Sequence, residues 1–121
     1  MHPITMHAIP NCDTVKKART WLDAQGIAYQ FHDFKKLGAP LPTLQAASAS
    51  IGWQALVNKQ GLTWKKLDAA VQARVVDLAS ALDLLQANTS AIKRPLMRWE
   101  DGSFTVGFDA SVFAEKIQMR K

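Results

Sequence analysis

Between residues 4 and 35 the spacing of apolar residues changes twice, from alternation to a helical repeat and back to alternation, and few folds accommodate that order. Residues 4 to 9 alternate in polarity and stop at Pro10, which predicts a short strand running into a loop. Val15, Ala18, Trp21 and Leu22 then recur at helical spacing behind Asp13 or Thr14, either of which suits a helix N-cap, and Gly26 closes the run. Ile27, Tyr29 and Phe31 alternate with smaller or polar neighbours and predict a second strand ending near Asp33 to Lys35. A strand, a crossover helix and a second strand make a β-α-β unit, so the two strands should be parallel.

From about Pro40 to Ser90 the chain is rich in Ala, Leu and Gln, and its apolar spacing is helical, with no evident strand. Thr43 is placed to cap a helix ending at Gly52, residues 53 to 57 suggest a short turn, and Val71, Val75, Leu78, Leu82 and Leu85 form a long stripe closing near Asn88. Core packing is the ordinary reason for such stripes. After Pro95, residues 96 to 99 and 104 to 108 flank a turn centred on Asp101 and Gly102, which predicts two antiparallel strands. Asp109 is then placed to cap a last helix carrying Val112, Phe113 and Ile117 on one face, with Arg120 and Lys121 suiting its C-terminal end. The predicted architecture is α/β: β-α-β, an all-helical insert over about 40–90, then β-β-α. Without the insert this is the thioredoxin-fold order, its core formed by about 1–39 and 91–121 within one domain of 121 residues.

Composition excludes several classes. No apolar run approaches the roughly 20 residues needed to span a bilayer, and the first residues lack a signal-type pattern, so a cytoplasmic chain with no membrane partner is expected. Cys12 is the single cysteine, so no intramolecular disulfide can form. Fifteen Lys and Arg against ten Asp and Glu give a net charge of +5, which favours anionic partners. The basic residues are scattered in pairs without a stripe or arm, so direct nucleic-acid binding is not expected. His2, His7 and His32 have no close Cys or carboxylate spacing, and no metal site is predicted. His7, which precedes Cys12 on the first strand, reads as a structural histidine. Trp21, Trp53, Trp64 and Trp99 read as core or interface anchors.

Thiolate is the nucleophilic form of cysteine, and an ordinary thiol is only a few per cent ionised at neutral pH. Just ahead of a helix, Cys12 would face unpaired backbone N–H groups and the positive end of the helix dipole, with Lys16 one turn further along. Arg94 is remote in sequence, but the strand after Pro95 should share a sheet with the strand before Cys12, which would bring the guanidinium near. Spacing alone leaves Cys12 open to two readings, an activated nucleophile or a small buried apolar residue.

The stretch Ile-Pro-Asn-Cys-Asp-Thr-Val-Lys-Lys-Ala-Arg-Thr-Trp-Leu over residues 9–22, the Gly-Ile-Ala-Tyr that follows and the later Lys-Arg-Pro-Leu resemble the ArsC (arsenate reductase-like) family, which includes YffB-like proteins and Spx regulators. The resemblance spans nearly the whole chain. It implies a thioredoxin-like core with a helical insert, a nucleophilic cysteine at Cys12, and an arginine before a cis-proline at Arg94 and Pro95. Two departures stand out. Where arsenate reductases of this type resemble the chain but use further arginines to grip the oxyanion, it carries Asn58 and Phe108, and neither offers a planar fork of donors. Where many Spx regulators carry a second cysteine of a C-x-x-C switch, it carries Val15.

The YffB-like resemblance implies an oxidoreductase: a glutathione-dependent thiol/disulfide reductase in which Cys12 forms a mixed disulfide with glutathione or an oxidised thiol substrate. Arg94 and Lys16 would lower the Cys12 pKa and hold carboxylates of the peptide, Asn11 and Thr14 would line the same loop, and Pro95 would offer backbone hydrogen bonds to an extended ligand. Glutathione would act as co-substrate, with no cofactor tightly bound. Two alternatives follow from the same resemblance: a glutathione-coupled arsenate reductase, and a Spx-like regulator that binds RNA polymerase without catalysis.

Overall fold

The computed structural model describes residues 2–118, and Arg120 and Lys121 lie outside the described residues. The chain divides into two compact units: Met1–Asp33 with Arg94–Lys121, and Phe34–Lys93.

The first unit is a four-stranded sheet, β1 Thr5–Ala8, β2 Gln30–Asp33, β3 Leu96–Arg98 and β4 Phe104–Val106, in the order β2-β1-β3-β4. β1 and β2 are parallel, with Thr5 opposite Gln30, as the crossover through helix α1 (Asp13–Ala24) requires. β3 runs antiparallel to both of its neighbours, with Leu96 opposite His7 on one side and Val106 on the other. Alternation sends Met6, Ala8, Met97 and Trp99 to one face, where Val15, Ala18 and Leu22 of α1 and Phe113 of the last helix, α8 (Ala110–Gln118), complete a core. Trp99 stands edge-on to Phe113 at 4.9 Å, and Trp21 meets the same ring at 5.8 Å. The remaining residues of β1, Thr5 and His7, lie on the opposite side of the pleat.

Local chemistry explains the boundaries. β2 begins three residues later than the alternation of Ile27, Tyr29 and Phe31 suggests. The N–H of Ile27 is already committed to Leu22 at the end of α1, with Gly26 in the left-handed region at φ 67°, and the first ladder bond is Gln30 N–H to the Ile4 carbonyl at 2.8 Å. The β3–β4 hairpin turns where expected: Gly102, at φ 84°, donates to the Trp99 carbonyl. Asp109 caps α8 by accepting from the Ser111 N–H at 2.9 Å.

The second unit is helical. It contains α2 Phe34–Leu37, α3 Leu41–Ile51, α4 Trp53–Leu56, α5 Leu62–Lys65, α6 Ala69–Ala73, α7 Leu78–Ala87 and a 3-10 turn at Thr89–Ala91. α3, α4 and α7 pack on one another, and Leu44, Ala47, Leu56, Ala81 and Leu85 are fully buried. The pairing of strand type in this unit is one antiparallel bridge, Val57 to Ile92. Two sequence expectations change. Thr43 does not cap α3, because Pro42 fits the first turn and the helix starts at Leu41. The long stripe from Val71 to Leu85 does not belong to one helix. Asp77 and Ser80 form a capping box that starts α7 afresh, and Leu78, at its first position, stays 46 % exposed.

His7 is 6 % exposed, and its Nδ1–H donates to the Leu96 carbonyl at 3.0 Å. Its pKa is lowered from the ordinary 6.5 to about 4, chiefly by desolvation, with the charges of His32 and Arg98 adding to the drop and the hydrogen bond to Leu96 opposing it. Between those two values the unfolded chain binds a proton that the folded chain refuses, so stability falls as pH drops, by up to about 1.4 kcal/mol per pH unit. The His7 ring should therefore stay neutral by NMR down to about pH 4, and His7→Gln should flatten the acid limb of chemical denaturation measured from pH 6.5 downward. In the core, Phe113→Ala should cost about 3–5 kcal/mol in urea unfolding, the usual range for removing a fully buried aromatic ring.

Candidate functional site

Cys12 is the N-cap of α1. Its backbone is extended (φ −138°, ψ 126°), and its carbonyl accepts the first helical hydrogen bond, from Lys16 N–H at 2.9 Å. The expectation that Asp13 or Thr14 caps this helix is therefore corrected: Asp13 is the first helical residue, and the sulfur occupies the place of a capping oxygen. That place faces the unpaired N–H groups of the first turn. The half-buried thiol is pushed up by partial desolvation, but more strongly down by the Val15 N–H, by the hydrogen bond and charge of Arg94, and by the Thr14 N–H. The outcome is a thiol held below the ordinary cysteine range, by the two causes known to activate cysteines, a helix N-terminus and a neighbouring cation.

Arg94 reaches the sulfur because of the sheet. β1 and β3 are antiparallel neighbours, so the residues just before Leu96 lie at the end of β1 that leads to Cys12. The Arg94–Pro95 peptide bond is cis. Pro95 is buried and has no N–H to donate, and its carbonyl accepts from Gly107 N–H at 3.1 Å. Any further bond to an extended ligand would have to use the second lone pair of that carbonyl. Asn11 and Thr14 are exposed beside the sulfur in sequence, and Thr14 acts on it through its backbone. Lys16 is exposed one turn along α1. Among the predicted site residues, Cys12, Thr14 and Arg94 are thus brought together, with Pro95 fixed next to them.

Gly107 escaped the sequence reading, which treated residues 104 to 108 as one strand. Its φ of 77° and its bond to Pro95 end β4 at Val106. A glycine inside a strand pattern is the available signal for such a close backbone approach. Phe108, next in sequence, is half-buried and turns its ring onto Phe113 at 5.0 Å and Trp21 at 6.5 Å. His7 does not join the thiol chemistry through Nδ1, which is engaged with Leu96, and its ring lies 5.2 Å from that of His32. Among the described residues, no three His, Cys, Asp or Glu side chains converge where they could hold a metal ion, and no helix is long and apolar enough to cross a membrane.

The chain is similar to known proteins over most of its length. Residues 7–115 match the model of the ArsC family. An uncharacterised protein of Haemophilus influenzae is 42% identical over 106 residues, covering 88% of this chain and 91% of that one. The global transcriptional regulator Spx of Streptococcus pyogenes is 24% identical over 110 residues, covering 88% of this chain and 78% of its own. Among solved structures, the YffB protein superposes with a TM-score of 0.88 at 42% identity, over 93% of this chain and 97% of that one. An arsenate reductase (ArsC) related protein from Brucella melitensis gives 0.72 at 40% identity, over 97% and 96%. With the thioredoxin-like sheet, the capped thiol and the match over residues 7–115 in hand, the chain belongs to the ArsC family.

Proposed function

We propose that the chain is a cytoplasmic, glutathione-dependent thiol/disulfide reductase working through Cys12. The observation that carries this reading is the set of donors around the sulfur, two backbone N–H groups and one guanidinium, which lower the thiol's pKa and so raise its thiolate share. In the first step the Cys12 thiolate attacks the glutathionyl sulfur of an oxidised substrate, the substrate's S–S bond breaks, and the substrate leaves as a thiolate that takes a proton from water. Cys12 is then disulfide-bonded to glutathione. A second glutathione, as thiolate, attacks the glutathione sulfur of that bond, releasing oxidised glutathione and restoring the Cys12 thiolate. In sum the substrate's sulfur is reduced to a thiol and one glutathione thiol is oxidised, the other half of the released disulfide being the glutathionyl group that the substrate carried in. The groups that ionise Cys12 also make it a good leaving group in this second step, since a thiol of low pKa leaves faster.

One cysteine suffices for this cycle only because the resolving thiol comes from solution. Arg94 holds the Cys12 thiolate and is suited to pair with a peptide carboxylate, while Asn11, Thr14 and Lys16 border the entrance. Arsenate reduction is less well supported. Phe108 is committed to an aromatic cluster where the related arsenate reductases are expected to place an arginine, and among the described residues Arg94 is the one guanidinium acting on the sulfur.

Alkylation of the wild type by iodoacetamide, followed against pH, should give a midpoint below that of free cysteine, and Arg94→Ala should move it up. Oxidised glutathione should leave one glutathione adduct on the intact chain by mass spectrometry, absent in Cys12→Ser. An ordinary midpoint together with no adduct would remove the proposal. A coupled assay with arsenate and glutathione should stay at background, while a glutathionylated peptide under the same conditions is turned over.

A further inference from the structure

Within the helical unit, the break between α6 and α7 leaves an open groove of about 350 Å³ whose two walls differ in charge. Val71, Arg74 and Val75 form one wall, and Ser80, Asp83 and Leu84 belong to the other. The groove is lined with valine and leucine between a cation and an anion. Among the described residues, no hydrogen bond or ion pair engages the side chain of either Arg74 or Asp83. Beside the groove stands an apolar knob. The Val76 N–H donates to Ser80 Oγ at 3.1 Å, which seats Val76 at the groove's edge, and its side chain is 70 % exposed.

A single exposed valine is ordinary surface, and so is a single exposed charge. Here a knob, a hollow and both signs of charge occupy one small patch, which is what a surface complementary to itself requires. We propose that this patch is an isologous interface with a second copy of the chain. A two-fold axis running along the groove sets each copy's Arg74 wall over the other copy's Asp83 wall, so the same ion pair forms twice, with each Val76 at the margin of the contact. Net charge favours no such pairing, because two chains of +5 repel, so the local complementarity must supply the attraction. The proposed dimer is concentration-dependent.

The test is independent of the thiol chemistry. In sedimentation velocity over a concentration series, the wild type should rise in weight-average mass from one chain toward two. Arg74→Glu and Asp83→Lys, each of which sets like charges across the axis, should stay at the mass of one chain over the same series. The double variant, Arg74→Glu with Asp83→Lys, should regain the rise, because it rebuilds the pair with its signs exchanged. Val76→Glu, at an exposed position, should keep the wild-type circular dichroism and lose the rise. A wild type that remains at one chain throughout overturns the proposal. So does association that Arg74→Glu and Val76→Glu leave unchanged, and so does a folded double variant that stays monomeric.

Discussion

The antiparallel pairing of β1 with β3 decides where the chemistry can be. Leu96 lies opposite His7, so the chain entering β3 passes the end of β1 from which Cys12 follows, and Arg94 arrives there although 82 residues of sequence number, 94 less 12, separate it from the thiol. That register is held by burial. Met97 of β3 and Trp99 just after it face the core, as Met6 does from β1, and a slip of one residue would turn the whole set to the other face of the sheet. Losing even one such side chain from a packed core costs several kcal/mol, so alternative registers are strongly disfavoured. The placement of the guanidinium is therefore a consequence of apolar packing, and side chains that never touch the sulfur determine its environment.

Around the sulfur, two opposing effects meet. Partial burial disfavours the thiolate, yet it also limits the screening that water would impose on the Arg94 charge. The backbone N–H groups of Val15 and Thr14 add attraction that needs no side chain to be ordered, since the helix has already fixed them. Placing cysteine at the N-cap is what makes both available. An oxygen-bearing cap in that position would satisfy the same N–H groups and strengthen the helix, so the chain gives up a standard cap for a thiol of lowered pKa. With no second cysteine in the sequence, the proposed cycle needs its resolving thiol from another molecule.

Much of this was legible in the residues. The double change of period over residues 4 to 35 foretold the parallel pair, Asp101 and Gly102 foretold the hairpin, and Asp109 foretold the last cap. Each of those signals is local and has one strong structural meaning. The failures share a different cause. Thr43 lost to Leu41 as a helix start because a proline in the first turn competes with a good cap, and spacing alone does not rank the two. The stripe from Val71 to Leu85 kept its period across a gap, so only the pairing of Asp77 with Ser80 marks the new helix. For Cys12, spacing left burial and reactivity open, and the approach of Arg94 expected from a shared sheet is what the β1–β3 register delivers.

The corner between β4 and α8 bears on what the thiol accepts. Gly107 takes a backbone conformation that other residues rarely adopt and spends its N–H on the Pro95 carbonyl, which ties the corner to the residue beside Arg94. The next side chain, Phe108, packs edge-on against Phe113 and is tilted toward Trp21. An arginine in its place would have to leave that cluster, surrendering aromatic contacts worth roughly 0.5–1.5 kcal/mol per ring pair beyond the area they bury. A tetrahedral oxyanion with several charged oxygens gains most where several planar donors surround it, and one guanidinium beside two backbone amides is a poor match for it. A disulfide sulfur carries no such charge and asks only for an approachable thiolate. On the proposed function, the arrangement at this corner suits a disulfide better than a tetrahedral oxyanion as the target of Cys12.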